Sequence, residues 1–189
     1  TLGGLIRSGA LDRLGPCFHD EPKAYQASID QNRAILLAAL EEAIRADPCV
    51  VAMGEDLGRG GVFGQYRSAD GRNLVELFGE ERVIDTPISE STIMGAGVGM
   101  ALAGLRPVVE MRVADFALCA IDEMVNQAAK NRYMFGGQER VPLVARLPIG
   151  IWTASAAQHS QSFESWFAHV PGLVVVAPST PADNYGLLR

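Results

Sequence analysis

The chain has few cysteines, and the three present, Cys17, Cys49 and Cys119, form neither a CxxC pair nor a zinc-ligand spacing. Thiols this sparse and odd in number predict a reducing compartment, the cytoplasm or an organelle matrix, over secretion. Cys17 and His19 have no second pair of ligands nearby, so no metal site is expected. No apolar run approaches the roughly 20 residues of a membrane-spanning helix, and the first 28 residues contain Asp12, Asp20 and Glu21, unlike an acid-poor transit peptide. Positive charge is in deficit: 16 Lys and Arg against 22 Asp and Glu leave a net charge of −6. That sign is wrong for neutralising phosphates, so small molecules and other proteins are the expected partners, not nucleic acid or membrane. GxSxG, a P-loop lysine motif and HExxH are absent. The glycine-rich stretch from Gly54 to Gly64 fails as GxGxxG because Phe63 stands where the last glycine belongs, and Gly95-x-Gly97 fails at Met100.

What is present suits a soluble fold with a substantial core. A chain of 189 residues, 48% of them hydrophobic, is expected to form one domain and to bury roughly 70% of its unfolded surface. Residues 1–28 read as an extended arm with one short helix over 2–14, and residues 29–189 as the folded domain. Ile35, Leu36, Ala39, Leu40, Ala43 and Ile44 recur at helical spacing from Asp30 up to Pro48, and Val50–Met53 follows as a buried strand. Further strands are expected at Val83-Ile84, 107–113, 141–147 and 173–177. Helices are expected over 90–103, over 116–134 with Ala117, Ile121, Val125 and Ala128 on the apolar stripe, over 162–169, and from Pro181 behind a Ser179-Thr180 cap. Strands alternating with helices predict an α/β fold, mainly a parallel sheet with helices on both faces.

The stretch from Asp85 to Gly104 organises this pattern. Glu90 stands in the first turn of a helix that Ser89 or Ser91 can cap, and an acid there suits the helix dipole. Gly95, Gly97 and Gly99 each cost that helix about 0.8–1.0 kcal/mol against alanine, which predicts a close approach of a backbone or a flat ligand, with Gly95 and Gly99 expected at a second subunit and packing on the chain's own sheet as the alternative. Glu90, Phe116 and His159 each follow a predicted strand, so all three can lie at the carboxyl edge of the sheet, where ligands of such folds bind. Each has an ordinary reading too: a helix-start acid, a core aromatic, and a solvated loop histidine whose tautomer Gln158 and Gln161 could fix.

The ordered blocks GEDLGRGGVFG, FGEERVIDTPISE, GAGVGMALAGLRPVVEM, DFALCAIDEMVNQAAKNRYMFGG, AAQHSQS and HVPGLVVVAPSTPADNYGLL resemble the beta subunit of the decarboxylating first component of 2-oxo acid dehydrogenase complexes. RYMFGG and ADFA resemble most its pyruvate and acetoin branches. The resemblance covers about residues 30–189 and implies the pyrimidine-binding domain of a transketolase-like thiamine diphosphate enzyme, in the cytoplasm or the mitochondrial matrix. It implies that Glu90 hydrogen-bonds N1′ of the aminopyrimidine, that Phe116 packs on that ring, that His159 lies near the substrate's reacting group, and that Glu55 lines a polar channel between paired sites. It further implies an alpha partner chain holding the diphosphate and magnesium, an alpha2-beta2 assembly, a lipoyl acyltransferase as acyl acceptor, and a small 2-oxo acid or acetoin as substrate. The GDG motif for diphosphate and magnesium is missing here, in keeping with such a partner, and the family's C-terminal domain is expected to be absent from this chain. The alternatives are a non-catalytic assembly module and another transketolase-type enzyme.

Overall fold

The computed structural model describes residues 22–58, 67–150 and 156–188. Four strands, β1 (Val50–Glu55), β2 (Val83–Thr86), β3 (Arg106–Glu110) and β4 (Val144–Arg146), form one sheet in the order β2-β1-β3-β4, every pairing parallel. Their side chains alternate between two cores. Ala52, Val83 and Val108 face one way, toward Leu37, Leu40 and Ile44 of helix α1 (Pro22–Ala46) and Leu74 of the short α2 (Leu74–Phe78). Met53, Val109 and Met111 face the other way, toward Ile93 and Met94 of α3 (Glu90–Leu102). A parallel sheet buried on both faces is what the near-continuous apolar runs demand.

The elements meet through specific contacts. Arg82 donates to the carbonyls of Ile44 at 3.0 Å, Asp47 at 2.9 Å and Val50 at 2.7 Å, placing a cation at the carboxyl end of α1, where the helix dipole favours it. Helix α6 (Pro181–Leu188) packs along α1 and opens with reciprocal capping: Asp183 N–H donates to Thr180 Oγ1 at 3.1 Å, and Thr180 N–H to Asp183 Oδ2 at 3.1 Å.

Several sequence expectations change. Residues 22–28 belong to α1 rather than to an extended arm; the rest of that arm lies outside the described residues. Neither serine caps α3: Ser89 Oγ donates to the Pro87 carbonyl at 3.0 Å, and Ser91 Oγ to Glu123 Oε1 at 2.6 Å. The expected helix over 116–134 is a 3-10 turn (Ala114–Ala120), a π turn (Glu123–Ala128) and the short α4 (Asn131–Met134). Ala114, Ala117 and Ala120 are buried at the three-residue spacing of the 3-10 turn, then Met124 and Ala129, while Ile121 is left 38% exposed. The buried line thus follows the local pitch and departs from a uniform 3.6-residue stripe. Leu173 packs against the second core, but 173–177 joins no strand, and Val174 is 92% exposed. Helix α5 (Glu164–Ala168) falls within the expected range.

Candidate functional site

The sheet changes direction at β1: the chain steps outward to β2, then crosses back over β1 to β3. Loops leaving β1 and β3 therefore part to opposite faces and open a crevice at their carboxyl ends, the usual ligand position in such sheets. Glu55 is the last residue of β1, and Arg112 lies just past β3. Arg112 Nη1 spans the crevice, 2.6 Å from Asp56 Oδ2 and 3.6 Å from Glu55 Oε1. Asp56 has a left-handed backbone, φ 57°, uncommon for a residue with a side chain and a mark of a tightly constrained turn.

Asp85, at the end of β2, accepts the Leu57 N–H at 3.0 Å and so secures the start of the glycine-rich loop; residues 59–66 of that loop lie outside the described residues. Pro87 then turns the chain, and Glu90 opens α3, half-buried in its first turn. Burial pushes the Glu55 carboxyl above its ordinary value; Arg112 opposes this, and the negative charges of Asp56 and Glu90 add to the rise. Glu55 and Glu90 therefore share one electrostatic environment.

The second half of the site stands on the 3-10 turn after β3. The Phe116 and His159 rings meet edge to face, with centroids 5.2 Å apart and planes at 82°. Gln161 Nε2 donates to the buried Asp115 Oδ1 at 2.6 Å, tying the histidine's loop to the same turn. Gln161 is thereby committed to Asp115, not to fixing the tautomer of His159. Among the described residues, His159 Nδ1 and Thr86 Oγ1 are buried without a hydrogen-bond partner. Buried polar atoms are nearly always satisfied, so both are suited to a ligand or a water. The register sets Thr86 beside Glu55.

The structure thus brings Phe116 to His159 by contact and Glu55 to Glu90 by charge, and α3 packs on the 3-10 turn that carries Phe116. No hydrogen bond or ion pair among the described residues joins one pair to the other. A hollow of about 520 Å³ bordered by Ile121, Val125, Trp166 and Phe167 includes none of the four. Sequence reasoning overlooked Arg112, Asp115 and Asp85. A charged residue closely following or ending an apolar strand was the signal available for each.

These residue types fit an aminopyrimidine. A half-buried carboxylate at a helix start can exchange a proton with a ring nitrogen, an aromatic ring on the next strand's loop offers a flat surface, and the unpaired imidazole nitrogen leaves one polar group for a second ligand. No group of three or more His, Cys, Asp or Glu able to hold a metal occurs among the described residues.

Comparison with known proteins identifies the family. The family described as the transketolase pyrimidine binding domain matches residues 31–189. The chain is similar to the mitochondrial pyruvate dehydrogenase E1 component subunit beta-2 of Oryza sativa subsp. japonica, 45% identical over 98% of this chain and 50% of that protein. It is likewise similar to the 2-oxoisovalerate dehydrogenase subunit beta of Bacillus subtilis, 46% identical over 80% of this chain and 45% of that one. The chain thus spans about half the length of these curated relatives. Among solved structures, a split-gene transketolase in the form of an inactive beta4 tetramer matches with a TM-score of 0.62 at 20% identity, covering 83% of this chain and 45% of that one, a likeness of fold alone.

Proposed function

The chain belongs to the transketolase pyrimidine-binding domain family, and from that membership we propose that it is the cofactor-activating part of the beta subunit of a thiamine diphosphate-dependent 2-oxo acid dehydrogenase first component. Bound thiamine diphosphate would supply the carbanion-stabilising chemistry that decarboxylation or C–C cleavage requires. The Glu90 carboxylate would hold a proton at N1′ of the aminopyrimidine and so govern which tautomer the ring adopts. Phe116 would hold the ring flat, and His159 would present its free nitrogen to the substrate's reacting group. Glu55, its carboxyl raised by burial and by the charge of Glu90, would carry protons in the polar channel toward a paired site.

The diphosphate and its magnesium would be held by an alpha partner in an alpha2-beta2 assembly, and the acyl group would pass to the lipoyl arm of an acyltransferase component. Relatives named for pyruvate and for 2-oxoisovalerate support a small 2-oxo acid, with acetoin as the remaining candidate. The reading places the protein in the cytoplasm, or in the mitochondrial matrix of a eukaryote.

The observation that carries this reading is the Phe116–His159 contact with its unpaired buried Nδ1, at the same sheet edge as Glu90. The test is to assemble the chain with an alpha-type chain bearing a GDG motif and assay pyruvate, a branched 2-oxo acid and acetoin. Thiamine-ring proton exchange is then compared between wild type and Glu90→Gln. Glutamine keeps the size of the side chain but cannot cycle a proton, so exchange and turnover should both fall about 100- to 10,000-fold. Exchange within threefold of wild type in a folded, assembled variant would refute the role of Glu90.

A further inference from the structure

We propose that the ion pair between the buried Glu110 and the part-buried Arg146 is a positioning device that holds the His159 loop against Phe116. The inference rests on the reading of His159 as the group facing the substrate. Glu110 ends β3 at 4% exposure, and Arg146 ends β4 directly opposite it in register. The guanidinium grips the carboxylate with both prongs, Nε to Oε2 at 2.5 Å and Nη2 to Oε1 at 2.5 Å. On the other side of Glu110 the register places Gly54 of β1, where a Cβ would stand 2.9 Å from Glu110 Cβ and 2.6 Å from its carbonyl oxygen. Glycine at 54 thus leaves room for the backbone and Cβ of Glu110, whose carboxylate is turned to Arg146.

Stability does not explain the pair. Taking two charges out of water costs about as much as their attraction returns, and an apolar pair of similar volume commonly does as well or better. Its position supplies the reason. Beyond Arg146 the chain leaves the sheet, and its first backbone contacts are Met111 N–H to the Arg146 carbonyl at 3.0 Å and Ala114 N–H to the Pro148 carbonyl at 2.8 Å. It returns at Gln161, whose carbonyl accepts Gly150 N–H at 3.3 Å and whose side chain donates to the buried Asp115. Both ends of the segment carrying His159 are therefore fastened to residues 110–115, the stretch that leads into Phe116. Glu110 and Arg146 anchor the outgoing end, Asp115 and Gln161 the returning end.

The test is a double-mutant cycle in the assembled enzyme. Glu110→Gln keeps the shape of the carboxylate but removes its charge, and Arg146→Lys keeps the charge but loses the fork. Each should lower kcat by up to about 100-fold, the scale of an ångström of misplacement at a reacting group, while cofactor affinity stays within twofold. In a His159→Ala background the same substitutions should have no further effect on kcat, because the group they position is gone. Full multiplication of the two losses in assembled enzyme would overturn the inference.

If His159→Ala alone leaves turnover unchanged, the reading of His159 fails separately. The positioning claim is then decided by the imidazole proton resonances of His159, assigned by their loss in His159→Ala. The Phe116 ring should shift them in the wild type and not in Arg146→Lys; an unchanged shift would overturn it.

Discussion

Gly97 and Gly99 lie one helical half-turn apart in α3, and alanine substitution should move stability in opposite directions at the two positions. At Gly99 a new Cβ meets nothing within 4 Å among the described residues, so Gly99→Ala removes the glycine penalty and stabilises the chain by up to about 1 kcal/mol. At Gly97 the same atom would lie 2.6 Å from Val109 Cγ2 and 2.8 Å from Leu143 Cδ1. Leu143 can swing its terminal methyl aside. Val109 cannot, because it is fully buried in β3 and β-branching restricts its χ1. Overpacking of this kind costs about 1–3 kcal/mol, which outweighs the propensity gain, so Gly97→Ala should be neutral to destabilising by up to about 2 kcal/mol. The two variants should therefore differ by roughly 1–3 kcal/mol, or about 2–12 °C in Tm for a domain of this size. Urea and thermal unfolding followed by circular dichroism would measure both. If Gly97→Ala gained as much stability as Gly99→Ala, the close approach of α3 to β3 would be refuted. Among the described residues, the tight contact of this helix is thus at Gly97, against its own sheet, whereas a Cβ at Gly99 would meet nothing within 4 Å and one at Gly95 would have Glu123 Cγ at 3.5 Å.

Burial raises the Glu110 carboxyl to about 7, from an ordinary value near 4.5, against the opposing pull of Arg146. The native state therefore binds more protons than the unfolded chain between those values, and the Glu110 contribution to stability should decline as pH rises from about 4.5 to 7, on the order of 3 kcal/mol in all. Wild type minus Glu110→Gln in urea unfolding across that range should show the decline, and a flat difference would refute it. Asp85→Ala should cost about 1–3 kcal/mol by stranding the buried Leu57 N–H, whereas Asp85→Asn should cost less than 1 kcal/mol or so because an acceptor remains; hydrogen exchange at the Leu57 amide tests the local origin. Val174→Lys should change the stability of this chain by no more than about 0.5 kcal/mol, since Val174 is 92% exposed, and a larger loss in thermal unfolding would mean that 173–177 is buried.

The parts of the fold that were legible in the sequence are those with local causes. The apolar runs Val50–Met53, Val83-Ile84 and 107–113 identify β1, β2 and β3, though not their ends, and Pro87 with Glu90 marks the start of α3. The single helix expected over 116–134 differs from the structure because helical periodicity assumes one pitch, and a 3-10 turn followed by a π turn changes pitch twice. The run at 173–177 reads as a strand but is not one in the structure, because a continuous apolar segment carries no record of whether a neighbouring strand pairs with it. The site divides in the same way. Glu90, Phe116 and His159 could be placed after strands, but the contacts that orient them link residues far apart: Arg112 to Asp56 across 56 positions, Asp115 to Gln161 across 46, and Glu110 to Arg146 across 36. The last pair nevertheless left a trace. Glu110 interrupts Pro107–Met111 and Arg146 interrupts Val141–Leu147, opposite charges set near the ends of two apolar strands that follow one another in the chain. A charge inside a buried run is tolerated only with a partner, and adjacent parallel strands of similar length bring such positions side by side. The two interruptions are compatible with the β3-β4 pairing and register that the structure shows.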